Sequence, residues 1–151
     1  MRLFLTLSAL AALTACEPPP KPVEQPKPDP TSQDWYRPAT EQLAGLNREA
    51  KNLVASGKFD PAGDIIERAQ LLELRLLAAP RPTLAAMEAV SDLDDLYGQV
   101  LLHNRRFGWA RNMFQKNVVR WKTWKPQTPE TERRWRLAVS AVAECDRHLT
   151  E

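Results

Sequence analysis

From Ala39 to the C-terminus, apolar residues recur every three or four positions, and no stretch alternates between apolar and polar residues with a period of two. This spacing is typical of amphipathic helices. It is interrupted at Gly57, at Pro80, around residues 104–107 and at Pro126. The pattern therefore predicts an all-α domain of about five antiparallel helices over residues 39–151.

The predicted helix boundaries depend on capping residues and prolines. Asp60 with Pro61 behind it is a typical helix start, and so is Thr128 with Pro129 behind it. Thr83 opens the third helix. We therefore place the helices at about residues 40–56, 60–79, 83–103, 107–125 and 128–149.

A proline-rich stretch lies ahead of this domain. Eight prolines fall between Glu17 and Pro38. Because proline fixes φ and lacks an N–H, the stretch favours solvated polyproline II over packed structure. Residues 16–38 are therefore predicted to be a disordered, semi-rigid linker. A ligand for a proline-reading groove is the alternative interpretation.

The chain begins with an apolar leader. Arg2 is followed by an apolar run from Leu3 to Leu13 that only Thr6 and Ser8 interrupt. This run has the length of a signal-peptide hydrophobic region and is too short to span a bilayer. The leader therefore predicts export from the cytoplasm.

The leader closes with Leu13-Thr14-Ala15-Cys16, in which a small residue stands directly before a cysteine. This run resembles the lipobox of bacterial lipoprotein signal peptides. The resemblance implies that residues 1–15 are a signal peptide, that Cys16 is the lipidation site, and that residues 16–38 link a lipid anchor to the domain. The alternative is an ordinary secretory signal followed by a chance cysteine.

The residue after the cysteine bears on localisation. Glu17 stands where enteric lipoproteins retained in the inner membrane carry aspartate. The resemblance therefore implies a position in the outer membrane, facing the periplasm, if the source is a Gram-negative cell.

Two segments of the domain share a spacing of small and large residues. The first segment has spacings of 4, 3, 4, 2, 3, 4 and 3 through Leu46, Ala50, Leu53, Gly57, Phe59, Ala62, Ile66 and Ala69. The second repeats part of this pattern with Gly98, Leu101, Phe107, Ala110 and Phe114.

This pattern resembles the tetratricopeptide repeat, a helical hairpin of about 34 residues. The resemblance implies tetratricopeptide-like hairpins with a C-terminal capping helix. The second segment departs from the repeat at Arg105, where glycine is usual, and at Asn117, where alanine is usual. Corresponding positions, such as Gly57 and Arg105, also lie farther apart than one repeat length. A generic antiparallel helical bundle is the alternative.

Residues suited to catalysis are scarce. The sequence has no nucleophile-elbow serine and no glycine-rich phosphate loop. His103 and His148 lie near predicted helix C-termini, where they suit the helix dipole. The run from Asp92 to Asp95 is expected to be a solvated acidic face, and Cys145 is expected to be a buried, inert thiol. We therefore predict no enzyme, no cofactor and no metal site.

Charge is segregated along the chain. Residues 103–136 contain ten Lys or Arg and two Glu, a net charge of +8, whereas residues 39–102 contain six basic and ten acidic residues, a net charge of −4. A basic, tryptophan-bearing face on the fourth helix is the candidate partner-binding surface, and it consists of Arg105, Trp109, Asn112, Lys116 and Arg120, with Trp124 behind it. The alternative is that this basic face only balances the charge of the acidic third helix within the fold.

These features together favour a lipid-anchored interaction protein that serves as a scaffold, assembly factor or activator for another envelope component. The alternative function is direct binding of an anionic envelope surface or polymer through the basic face. Nucleic acid suits the charge but not the compartment, and no small-molecule substrate is expected.

Overall fold

Five α-helices make up most of residues 29–151, the part of the chain that the computed structural model describes, and this part contains no strand. The helices are α1 (Tyr36–Ala55), α2 (Phe59–Leu77), α3 (Leu84–His103), α4 (Phe107–Thr123) and α5 (Pro129–Thr150). A short 3₁₀ turn, Pro30–Ser32, precedes them. The prediction of an all-α domain with five helices is confirmed. The signal peptide, Cys16 and most of the predicted linker lie outside the described residues.

Two of the predicted helix starts are confirmed. The Thr83 hydroxyl accepts a hydrogen bond from the N–H of Ala86 at 3.3 Å. The Thr128 hydroxyl accepts from the N–H of Thr131 at 3.2 Å, and the Thr131 hydroxyl accepts from the N–H of Thr128 at 2.8 Å. Both threonines therefore satisfy N–H groups that have no partner inside the helix.

The predicted cap at Asp60 is wrong. Helix α2 begins at Phe59, and Asp60 lies inside its first turn. The reason is the preceding turn, in which Gly57 takes a φ of 71° and the N–H of Lys58 donates to the carbonyl of Leu53 at 2.8 Å. This hydrogen bond closes the turn at Lys58, so helix α2 begins at the next residue, Phe59. Asp60 still favours the helix because its charge faces the positive end of the dipole.

Helix α1 begins at Tyr36, four residues before the predicted start at Thr40, so it includes the last three residues assigned to the linker. Pro38 is tolerated there because the first turn of a helix needs no N–H. Tyr36 is buried, and its hydroxyl accepts a hydrogen bond from the N–H of Thr83 at 3.2 Å. The Arg75 guanidinium lies over the Trp35 ring, 3.9 Å from its centroid. The chain therefore enters the domain beside the α2–α3 connection.

The helices pack in chain order around two separate apolar clusters. Helices α1 and α2 form a hairpin, α3 packs against both, α4 packs on α3, and α5 packs on α4. The larger core lies among α1, α2 and α3. The smaller core is centred on Ala110, Phe114 and Cys145, and the end of α3 contributes Leu101 and Leu102 to it. Helix α3 thus belongs to both cores.

The α1–α2 and α3–α4 turns have the same geometry. Arg105 holds the position in the second turn that Gly57 holds in the first, and it also takes a left-handed conformation, with a φ of 57°. The N–H of Arg106 donates to the carbonyl of Leu101 at 2.8 Å, just as Lys58 donates to Leu53. The side chain of arginine makes this conformation unfavourable, whereas glycine adopts it freely. The step in the chain from Gly57 to Arg105 therefore relates the first hairpin to the second.

The antiparallel order gives the domain two distinct ends. The incoming chain and the α2–α3 and α4–α5 connections lie at one end, which we call the linker end. The turns at Gly57 and Arg105 and the C-terminus of α5 lie at the other, the far end. A 20-residue helix is about 30 Å long, and this length separates the two ends. None of the described helices is long and apolar enough to cross a membrane.

Candidate functional site

The structure divides the predicted basic face of α4 into an exposed part and a part engaged within the fold. Arg105, Trp109 and Asn112 are exposed at and just after the α3–α4 turn. Trp109 is 66% exposed, as its helix phase predicts, while Ala110 and Phe114 are buried. This exposed part lies at the far end of the domain.

Lys116 and Arg120 belong to the engaged part because they turn sideways toward α3. Their side-chain nitrogens, Nζ and Nη2, lie 2.9 Å and 2.8 Å from the two carboxylate oxygens of Asp94. Asp94 is only 2% exposed, so the prediction of a solvated acidic face is wrong at this residue. The basic face of α4 does form ion pairs with the acidic α3 here, although the Lys116 side chain stays 47% exposed, whereas that of Arg120 is 9% exposed.

A second carboxylate lies near this buried ion pair. Glu73 of α2 is buried, and its Oε1 lies 4.0 Å from the Lys116 ammonium. Burial, together with the nearby Asp94 carboxylate, raises the pKa of Glu73. The cluster thus ties α2, α3 and α4 together through charged groups, in addition to their apolar contacts.

Trp124, the last residue of the predicted face, also belongs to the engaged part. It is half-buried directly after α4, and its ring lies edge-on to the Trp121 ring with centroids 6.2 Å apart. Trp121 is fully buried, and its indole N–H donates to the Ser91 hydroxyl at 2.8 Å. Three of the six predicted residues are thus available to a partner, Arg120 and Trp124 serve the fold, and Lys116 pairs with Asp94 while it stays about half exposed.

A groove that sequence analysis missed runs between α1, α3 and α5. Its volume is about 770 Å³ and it is open to solvent. The floor carries buried apolar groups, among them Leu96, Phe114 and Ala138. Arg48 and Lys51 of α1 line one wall, and the exposed Leu137 lies on the α5 wall. An apolar floor with polar walls is typical of a binding groove.

Asn47, one of the residues that line this groove, carries a buried acceptor. The side chain is 5% exposed, and its amide Nδ2 donates to the carbonyl of Ala89 at 2.7 Å. Its Oδ1 has no hydrogen-bond partner in the part of the chain that the structure describes. Trp135 Nε1 is the other such atom there, but Trp135 does not line the groove. A buried carbonyl oxygen without a donor costs stability. This oxygen is itself shielded from solvent.

Asp95 occupies the place in the second hairpin that Asn47 occupies in the first, and it lines the same groove. Burial raises the pKa of Asp95, while a hydrogen bond of 2.7 Å from the Gln99 amide acts in the opposite direction. The step from Asn47 to Asp95 equals the step from Gly57 to Arg105, which was visible in the sequence. Applying the same step to Asn47 leads to Asp95, so the sequence could have paired these two polar positions, although it could not have shown the groove around them.

The basic residues on the two walls differ in whether they form ion pairs within the fold. On α5, Arg134 lies 2.6 Å from Asp92 and 2.9 Å from Glu130, so it is held within the fold. Arg48 and Lys51 form no ion pair among residues 29–151. The α1 wall is therefore basic, although the positive charge of Lys51 is near enough to the Asp95 carboxyl to oppose the rise in its pKa.

Both histidines lie at the far end, stacked on aromatic rings. The His103 and Phe59 centroids are 3.7 Å apart, and the His148 and Phe107 centroids are 4.5 Å apart. They border a second, smaller pocket of about 370 Å³. Within residues 29–151, no three His, Cys, Asp or Glu side chains are grouped as metal ligands would be.

The thiol of Cys145 is inaccessible to solvent. Cys145 is fully buried in the smaller core, as its position on α5 predicted. Burial raises the pKa of this thiol, which disfavours the reactive thiolate.

Comparison of the chain with models of protein families, with curated proteins and with solved structures found no match.

Proposed function

We propose that the protein is a lipid-anchored interaction protein of the bacterial cell envelope, built from tetratricopeptide-like hairpins. In this proposal, the groove between α1, α3 and α5 holds an extended segment of a partner protein. The observation that supports it most strongly is the groove itself, which is open to solvent and combines an apolar floor with charged walls.

The chemistry of the groove defines the segment that it suits. An extended segment offers free backbone N–H and C=O groups to the polar side chains that line the groove, whereas a helix uses its own. The apolar floor around Leu96 suits aliphatic side chains of that segment. Arg48 and Lys51 suit an acidic side chain beside it. The ligand is therefore an extended peptide that combines apolar and acidic residues.

The anchor is the other half of the proposal. The lipobox-like run ending at Cys16 favours acylation of that cysteine, and Glu17 favours the outer membrane facing the periplasm. Multiple acyl chains hold a protein far more firmly than one chain does. The anchored domain then meets partners of the envelope and of the periplasm.

Replacing Cys16 by alanine is expected to block acylation and cleavage of the leader, since both need the cysteine sulfur. Metabolic labelling with palmitate, read out on the immunoprecipitated protein, checks this. The parent should be labelled and should have the mass of a chain beginning at residue 16. Cys145→Ala is the matched control and should be labelled like the parent. Equal labelling of the parent and Cys16→Ala would refute the anchor.

Site-specific photocrosslinking in intact envelopes checks the groove. A benzophenone amino acid at Leu137, on the α5 wall, should crosslink to one partner segment, which mass spectrometry can map. Val119 is the control position, since it is exposed on α4 and does not line the groove. Lys51→Glu should weaken the Leu137 crosslink because it places a negative charge beside the acidic segment.

Two results would contradict the groove. The first is a Leu137 crosslink no stronger than that of Val119. The second is a strong crosslink from a benzophenone at Trp109 with none at Leu137. That second result would favour the alternative function, binding of an anionic partner through the exposed residues Arg105 and Trp109 at the far end.

A further inference from the structure

Four exposed leucines lie on the outer side of α2 and at the start of α3. Leu71 and Leu74 are 75% and 66% exposed, and Leu77 and Leu84 are also exposed. Isolated exposed leucines are common on soluble domains, but three on successive turns of one helix are not. We call these four residues the leucine patch.

The leucine patch is not a loosely packed part of the core. The opposite side of α2 supplies the core residues, among them Ile66, Ala69 and Leu76, which are almost completely buried. At 100° per residue, Leu71 and Leu74 project away from that side. Helix α2 is therefore apolar on both sides over its last two turns, and only one side has a partner in residues 29–151.

Basic side chains border the leucine patch. Arg68 and Arg75 lie on the same side of α2 as Leu71, three residues before it and four residues after it. Arg81 is exposed in the α2–α3 connection. None of these three arginines forms an ion pair within the described residues. Glu67, which is exposed four residues before Leu71, lies on the same side of α2. The border is therefore basic chiefly at the linker end, at Arg75 and Arg81, where it suits an anionic lipid surface.

The leucine patch lies at the linker end of the domain, next to the incoming chain. Arg75 covers the Trp35 ring, and Tyr36 receives a hydrogen bond from Thr83. Residues 16–28 stand between the proposed anchor and the described chain. Thirteen residues reach at most about 45 Å when fully extended. An anchor at Cys16 therefore keeps the leucine patch close to the bilayer, where even weak binding becomes effective.

We propose that the leucine patch docks on the surface of the anchoring bilayer, with its leucines among the acyl chains and its arginines at anionic headgroups. This inference rests on the lipid anchor of the proposed function. Docking orients the domain, because α3 begins at the linker end and runs to the far end. The linker end, rather than the far end with Trp109 and the two histidines, is then held at the membrane.

Photocrosslinking to lipid tests the docking in the full-length, processed protein. A diazirine amino acid at Leu74, irradiated in isolated envelopes, should give a phospholipid adduct that mass spectrometry can identify. The same group at Val119 or Leu137, which are also exposed but lie elsewhere, should give several-fold less. Equal adduct yields at the three positions would overturn the proposal.

The charge contribution is tested with the purified, acylated protein in vesicles. Adduct yield at Leu74 should be several-fold higher in vesicles containing phosphatidylglycerol than in vesicles of phosphatidylcholine alone. Arg68→Ser with Arg81→Ser should remove this difference. A Leu74 adduct with a second copy of the chain, or with another protein, would overturn the proposal and assign the leucine patch to a protein interface.

The failure of the anchor and the failure of docking are distinguishable. If palmitate does not label the parent protein, the proposed anchor is wrong, whatever Leu74 contacts. A labelled parent whose Leu74 yields no lipid adduct keeps its anchor and has no docked patch.

Discussion

Replacing Asp94 by alanine should lower the free energy of unfolding by about 3–5 kcal/mol. The carboxylate is almost completely buried and accepts hydrogen bonds from both Lys116 and Arg120. Without it, the nearly buried Arg120 guanidinium loses its directly paired counter-ion, with only Glu73 left nearby, and a poorly compensated buried charge costs more than a lost exposed pair. Urea denaturation followed by circular dichroism measures the loss.

Asp92→Ala is the matched control for this prediction. Asp92 lies two residues away on the same helix and pairs with Arg134, but half of its side chain is exposed. An exposed pair contributes about 0–1 kcal/mol, so the control should remain close to the parent. Equal losses for the two variants would mean that the Asp94 cluster is no stronger than a surface ion pair.

Gly98→Ala should destabilise the domain by about 1–3 kcal/mol, although alanine is the better helix former. A Cβ at Gly98 would lie 2.5 Å from Cε1 of Phe114, which is buried in the smaller core. The ring cannot move without disturbing Cys145 and the other residues packed around it. The glycine therefore permits α3 and α4 to approach each other.

Gly63→Ala is the control, since a Cβ there would meet no heavy atom within 4 Å. It should stabilise helix α2 by about 0.5–1 kcal/mol. In a Phe114→Leu background, Gly98→Ala should cost less, because the smaller side chain leaves room for the methyl group. A double-mutant cycle on thermal unfolding gives the coupling. If Gly98→Ala is as stable as Gly63→Ala, the close approach does not exist.

The helices could be predicted because their apolar spacing and their threonine caps are local properties. Thr83 and Thr128 cap their helices through residues only three positions away. The start of α2 could not be predicted from Asp60, because the turn geometry at Gly57 decided it. The start of α1 was missed because it depends on a long-range contact. Tyr36 is held by Thr83, which lies far along the chain, and a helix pattern carries no information about such a contact.

The candidate surface on α4 shows where helix phase stops being informative. Phase correctly separated the exposed Trp109 from the buried Phe114. It could not show that the long side chains of Lys116 and Arg120 reach across to Asp94 on a neighbouring helix. The groove could not be predicted at all, since residues of four helices, α1, α3, α4 and α5, line it, and α1 is distant from the other three in the chain.

The two cores described above have a consequence for the dynamics of the groove. Helix α5 is held chiefly by α4 and the smaller core, whereas α1 belongs to the larger core. Domains with such serial packing open in cooperative units, each with its own free energy. We expect α5 to open while α1, α2 and α3 stay folded. One wall of the groove, α1, is therefore expected to stay folded, while the other wall, α5, opens separately. A bound segment can then leave without unfolding of the whole domain.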